Sequence, residues 1–216
     1  MSKNSLKYSQ FDDINTSKGT ILMQKLVLAS TSRYRATVLS KLGLPFAVAS
    51  PAIDELILPL ESAAAACVRL AIAKARNIGL KHRRSLVIGS DQIASLGTQF
   101  LGKPETHDKA FEQLNLCSGQ TVCFYTGLCL LNTENETQQS SFSRFDLKFR
   151  VLNGSQIENY LDREQPYDCA GSFKAEGLGI SLLESLSGGD PNALIGLPLI
   201  DLIDMLLLEN IDVLST

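Results

Sequence analysis

The sequence predicts an α/β domain built around a mixed sheet. Short apolar runs alternate with amphipathic helical segments through the first half of the chain. Two stretches rich in β-formers then follow across a polar break, which is a hairpin signal. Hydrophobic residues make up 44% of the 216 and charged residues 20%, enough apolar material for a sizeable core.

Residues 1–22 are polar and aperiodic, so a poorly ordered extension is expected there, with the folded domain running from 23 to 216. A start of the native chain at Met23 fits the same boundary. The run QKLVLA over 24–29 reads as a buried strand. Tyr34, Val38, Leu39 and Leu42 give a helix over 33–42, stopped by Gly43 and Pro45. A second strand fits 46–49, and the Ala-rich stretch 61–79 is strongly helical. LVIG and its continuation predict a strand over 85–96, and a helix over 107–116 ends at Ser118-Gly119. Residues 121–131 and 141–151 form the hairpin pair, with NTENETQQS as a long loop. A short helix fits 155–163. Pro198 then opens a C-terminal helix with Leu199, Leu202, Ile203 and Leu206 on one face.

Composition excludes several classes of function. Twenty Lys+Arg against 23 Asp+Glu leave a net charge of −3, so no general basic coat for nucleic acid is expected. The most apolar stretch, 193–208, is broken by Gly196, Pro198, Asp201 and Asp204, short of the ~18 residues of a membrane span. The N-terminal residues lack the apolar core of a secretory signal. Five scattered cysteines without a C-x-x-C pair, and only two histidines, give little material for a zinc site. A reducing cytoplasm is the simplest setting.

Six segments hold candidate chemistry. In LASTSRYR, a strand runs into hydroxylated residues and then a helix, whose first amides favour an anion. Ser30, Thr31, Ser32, Arg33 and Arg35 would complete a phosphate cradle, although an ordinary Ser/Thr helix cap fits as well. Lys74 lies on the apolar stripe Ala63, Cys67, Leu70, Lys74, Ile78. It either snorkels to the surface or meets an anion in a cleft. Asp91 in GSDQ follows a buried run near a strand end, where an unpaired carboxylate is costly in a core and ligands gather beside the sheet. A metal ligand, a general base and a turn-capping aspartate all remain open for it. Lys103 sits in the constrained loop LGKP, Asp54-Glu55 is an adjacent acid pair, and three glycines bracket Lys174 and Glu176 in AGSFKAEGLG. Acids able to hold Mg²⁺ and cations able to hold phosphates are the parts of a phosphoryl-transfer site. The chain has no G-x-x-x-x-G-K-[ST] and no G-x-S-x-G.

LASTSRYR, Asp54-Glu55, Lys74, GSDQ, GKPET and AGSFKAEGLGI occur in an order that resembles the Maf family of nucleoside triphosphate pyrophosphatases, from about Lys25 to Leu208. The resemblance implies a Maf/ITPase-like mixed sheet flanked by helices with a deep cleft. It implies hydrolysis of a nucleotide to monophosphate and pyrophosphate with a divalent cation, Mg²⁺ or Mn²⁺, and a homodimer. Carried over by position, Asp91 matches the general base and, with Glu55, the metal-holding acids. Ser30, Arg35, Lys74 and Lys103 match the phosphate-contacting set.

Tyr34, Gln92 and Glu176 resemble the branch acting on 7-methyl-GTP. The branch acting on dTTP and UTP has Arg, Thr and Gln at those positions. The difference is chemically sensible, because N7-methylated guanine is cationic and an aromatic face attracts a cation. A carboxylate at 176 would accept from the donor edge of guanine. One departure is that Ala36 follows Arg35 where the branch has a second arginine, while Arg33 precedes Tyr34. The expected role is removal of a modified nucleotide before it enters nucleic acid. The alternatives are a dTTP/UTP pyrophosphatase and a non-catalytic, nucleotide-sensing regulator of septum formation.

Overall fold

The computed structural model describes residues 24–215; the expected extension over 1–22 and the start at Met23 lie outside the described residues. Among the described residues, seven strands form one sheet in the order β2-β1-β3-β5-β6-β7, with a short β4 on β3. These are β1 (Lys25–Ala29), β2 (Phe46–Ala49), β3 (Ser85–Leu96), β4 (Gln99–Leu101), β5 (Thr121–Asn132), β6 (Gln138–Phe149) and β7 (Leu183–Gly188). Strands β2, β1 and β3 are parallel, whereas β3, β5, β6 and β7 run antiparallel, so the sheet is mixed as expected. The helices are α1 (Arg33–Ser40), α2 (Ala63–Gly79), α3 (His107–Cys117), α4 (Gly154–Glu164), α5 (Pro191–Ile195) and α6 (Leu199–Leu208). Among the described residues, no helix is long and apolar enough to cross a membrane.

Strand alternation divides the core. Leu26 and Leu28 of β1 pack with α6 residues Leu199, Leu202 and Leu206. Val27 and Ala29 pack instead with Ala71, Ala75 and Ile78 of α2. The two faces of one five-residue strand therefore support two layers. A further cluster joins α3 and α4 to Phe124, Phe145, Leu147 and Phe149 of β5 and β6.

Helix α2 approaches the sheet unusually closely, because Gly89 and Gly127 face it. A Cβ on Gly89 would overlap the carbonyl of Ala71, and one on Gly127 would overlap that of Cys67. These two glycines set the height of α2 over β3 and β5, and with it the position of every α2 side chain that reaches past the strand ends.

Three details differ from the sequence expectation. β6 begins at Gln138, so the hairpin loop is shorter than NTENETQQS; Gln138, Gln139 and Ser140 pair with Leu131, Leu130 and Cys129. Gln139 also donates to the carbonyl of Met205 on α6, so tertiary partners hold polar residues in a strand. Pro198 caps α6 from just outside its first turn rather than beginning it. β4, β7 and α5, each of six residues or fewer, were not anticipated.

Candidate active site

Parallel pairing of β1 with β3 ends at Ala29 and Gly89. Beyond that point β3 continues while β1 turns into the loop before α1, and a crevice opens beside the strand ends, where ligands gather in α/β sheets. The crevice is a cleft of about 1030 Å³. Its lining includes Ser30, Tyr34, Arg35, Glu55, Lys74, Asp91, Gln92, Lys103 and Glu176. The nine residues carried over from the family resemblance thus line one cavity, although they span 147 positions of the chain from Ser30 to Glu176.

Lys74 and Asp91 stand at its floor. The stripe expected on α2 is buried, and Lys74 is buried with it rather than snorkelling outward. Its Nζ lies 2.6 Å from Asp91 Oδ1 and 2.8 Å from Glu55 Oε1. Asp91 is 6% exposed, so the ammonium relieves what would otherwise be a costly lone charge. Among the described residues Asp91 Oδ2 accepts no bond and no buried side-chain oxygen lacks a partner, so Oδ2 is open to the cleft. Glu55 comes from the loop before α2 and stays more than half exposed. Its neighbour Asp54 accepts from the backbone amide of Leu56 and shapes that loop.

The LASTSRYR loop forms the adjoining wall. Ser32 caps α1 by accepting from the amide of Arg35. Ser30 is buried and accepts from the Ser32 amide and from Arg35 Nη1. Arg35 Nε donates to the carbonyl of Gly196 at 2.8 Å, which fixes the guanidinium against the α5–α6 corner. Burial lowers the Arg35 pKa, while the Asp91 and Glu55 carboxylates oppose that shift. The helix-cap and cradle readings are thus compatible: Ser32 caps, while Ser30 and Arg35 face the cavity.

Gln92 follows Asp91 and points to the opposite sheet face. Its Nε2 donates to Thr126 Oγ1 and to the carbonyls of Ala193 and Leu194, all within 3.1 Å. The Thr126 hydroxyl itself donates to Ala193. Three acceptors around one terminal atom fix the amide orientation, leaving Oε1 as the end that makes no bond within the described residues. Gln92 thus lines the cleft with its amide nitrogen tied to α5.

A third wall comes from the loop after α4. Glu176 is exposed at the rim, whereas Lys174 turns away to pair with Glu164 at 2.7 Å. Glu164 also accepts from the backbone amide of Leu178, so α4 anchors this loop at two points. Lys103 is exposed at the rim with no polar partner among the described residues. Arg33 lies apart from the Lys74 cluster. Its guanidinium covers the Tyr34 ring, with Cζ 4.8 Å from the centroid, and pairs with Asp168 at 3.7 Å. Tyr34 donates its hydroxyl to Asp168, and burial pushes that phenol up to about 12. Burial likewise pushes the Cys169 thiol up to about 12, so it is a thiol rather than a thiolate nucleophile at neutral pH.

Thr126, Asp168 and Gly196 were missed in the sequence. Thr126 carried a faint signal, a hydroxyl inside a buried strand. Asp168 carried another, as the acid just ahead of AGSFKAEG. Gly196 enters through its backbone carbonyl, which no side-chain pattern reveals.

Among the described residues the cleft carries more acid than base. Arg33, Arg35, Lys74 and Lys103 face Asp54, Glu55, Asp91, Glu105, Asp168 and Glu176. The His107, Glu158 and Asp162 group, whose ligand atoms lie within 4.8 Å of one another, is not part of the cleft lining.

The family model for Maf-like proteins matches residues 25–208, the span that builds the sheet and all three walls. The chain belongs to the Maf-like family. Among its Maf-like relatives is a protein of Nitrosococcus oceani named 7-methyl-GTP pyrophosphatase, 57% identical over 84% of this chain and 91% of its own length. Proteins with the same name from Pseudomonas fluorescens and Pseudoalteromonas atlantica are 53% and 52% identical. Each covers 88% of this Maf-like chain, over 99% and 97% of its own length.

Proposed function

We propose that this protein hydrolyses 7-methyl-GTP to 7-methyl-GMP and pyrophosphate, clearing a modified nucleotide before it enters nucleic acid. The meeting of Lys74, Asp91 and Glu55 beside Arg35 in a cleft that also holds Tyr34 carries this reading. The relatives named 7-methyl-GTP pyrophosphatase support the choice of base.

In this reading Asp91 Oδ2 takes a proton from the water that attacks the α-phosphorus. Lys74 holds the other oxygen, so the open one is aimed at the cavity. Arg35, Ser30 and Lys103 bind phosphate oxygens, and Arg35 is already oriented by Gly196 and Ser30. Tyr34 offers a ring for the base, while Gln92 Oε1 and Glu176 offer acceptors for guanine N–H donors. Uracil and thymine have a narrower donor edge, which favours guanine.

A divalent cation suits this donor set. Glu55 and Asp91 stand side by side around Lys74 Nζ, and among the described residues Asp91 Oδ2 accepts no bond. Mg²⁺ commonly uses one or two carboxylates together with substrate phosphates. Four cations against six carboxylates leave the cleft unable to neutralise a triphosphate by itself. Glu55 and Asp91 would hold Mg²⁺ or Mn²⁺, which supplies charge neutralisation as pyrophosphate departs.

Hydrolysis in ¹⁸O-labelled water tests the chemistry. The label is expected in 7-methyl-GMP; label in pyrophosphate would place the attack at the β-phosphorus and remove Asp91 from the proposed role. Tight binding of nucleotide with no turnover would favour a sensing protein instead.

A further inference from the structure

Tyr34 and Asp168 form a seat for a cation, and the chain's own Arg33 sits in it. The guanidinium lies over the ring at 4.8 Å and is 3.7 Å from Asp168 Oδ2, while its Nη2 donates to the Tyr34 hydroxyl at 2.8 Å. Tyr34 donates onward to Asp168 Oδ1 at 3.2 Å, which fixes ring and carboxylate relative to each other. All three residues line the cleft. The Arg33 side chain is 75% exposed, and its partners among the described residues are the Tyr34 ring and hydroxyl and the Asp168 carboxylate. Neither a stacked guanidinium at an exposed site nor a surface ion pair is held strongly.

We propose that this seat takes the cationic base of the substrate, with Asp168 selecting for its positive charge and Arg33 giving way to it. The inference rests on 7-methyl-GTP being the substrate, and it adds a reason for the preference over unmethylated GTP. A neutral ring that displaced Arg33 would leave the Asp168 carboxylate without a counter-charge. A 7-methylguanine ring replaces both contacts, the cation over the aromatic face and the charge beside the acid. Discrimination then comes from penalising the neutral competitor as much as from rewarding the methylated one. Arg33, once displaced, is free to swing toward the phosphates from the first turn of α1.

The test compares 7-methyl-GTP with GTP, which differ only by the methyl group and its charge. Asp168→Asn keeps an oxygen to accept from Tyr34 and removes the charge. It is expected to lower the ratio of kcat/KM for 7-methyl-GTP over GTP about fivefold, the scale of an exposed charge pair, through a higher KM for 7-methyl-GTP. A second arm uses the nucleoside 7-methylguanosine as competitive inhibitor, so that contacts to phosphate do not enter. Arg33→Ala vacates the seat and is expected to lower its Ki about two- to fivefold. An unchanged ratio in Asp168→Asn, or a Ki in Arg33→Ala that stays the same or rises, overturns the seat. A wild-type enzyme that prefers UTP to 7-methyl-GTP overturns the substrate reading instead, so the two failures are distinct.

Discussion

Lys74 illustrates how a single residue changes meaning between sequence and structure. Its place on an apolar stripe left two outcomes, solvent or an anion. The structure supplies two anions from the protein itself, Asp91 and Glu55. Residue types and their order were legible in the sequence; this pairing was not, because it depends on α2 crossing over β3 with Glu55 folded back from a loop. Asp91→Asn keeps the shape and removes the proposed base, so kcat is expected to fall at least ~10²-fold with KM little changed, read by steady-state kinetics. Unaltered kcat would remove Asp91 from proton transfer. Lys74→Met leaves the buried Asp91 without its ammonium. It is expected to lower both turnover and the melting temperature, because removing one partner of a buried pair strands the other; a melting temperature equal to wild type would mean that the pair contributes no stability.

At the scale of elements, the site depends on the height of α2 and the anchoring of the 170–182 loop. Gly127→Ala drives a methyl into the Cys67 carbonyl, a backbone atom that cannot rotate away. Urea denaturation is expected to show a loss of about 1–3 kcal/mol, the scale of overpacking, with reduced turnover as Lys74 shifts from Asp91. Wild-type stability in that variant would contradict the close-packing account.

The loop anchor makes a prediction in pH. Hydrogen bonding from Lys174, then from the Leu178 amide, holds the Glu164 carboxyl below its usual range. A carboxylate with a depressed folded pKa stabilises the fold above the unfolded value of about 4.3, and that contribution is lost as pH falls through the lower folded pKa. Melting temperatures of Glu164→Gln should therefore lie below wild type at pH 7 and converge with it toward pH 3; a constant gap would exclude linkage through Glu164. The long elements were legible from periodicity, and β2 and β3 were anticipated to the residue. β4, β7 and α5 were not, since elements so short owe their form to neighbours. β7, with the sequence LESLSG, is a strand because β6 pairs with it.

Across the whole molecule, a net charge of −3 and an acid-rich cleft repel a polyanionic substrate unless cations are added. Chelation of divalent metal is expected to abolish pyrophosphate release, with Mg²⁺ or Mn²⁺ restoring it; full activity in chelator would contradict the charge balance argued for the cleft. Neither composition nor periodicity revealed that Arg35, Lys74, Asp91 and Lys103 meet. Only the ordered set of motifs, and the resemblance it carried, pointed to a shared cavity. The most direct measurement is pyrophosphate release from 7-methyl-GTP, GTP, UTP and dTTP in parallel, with Mg²⁺, by the wild-type protein and by Asp91→Asn. The expected result is turnover of 7-methyl-GTP at least ~10-fold faster than of the other three, lost in the variant on the scale of general-base removal. Faster turnover of UTP, or equal turnover by the two proteins, would contradict the account.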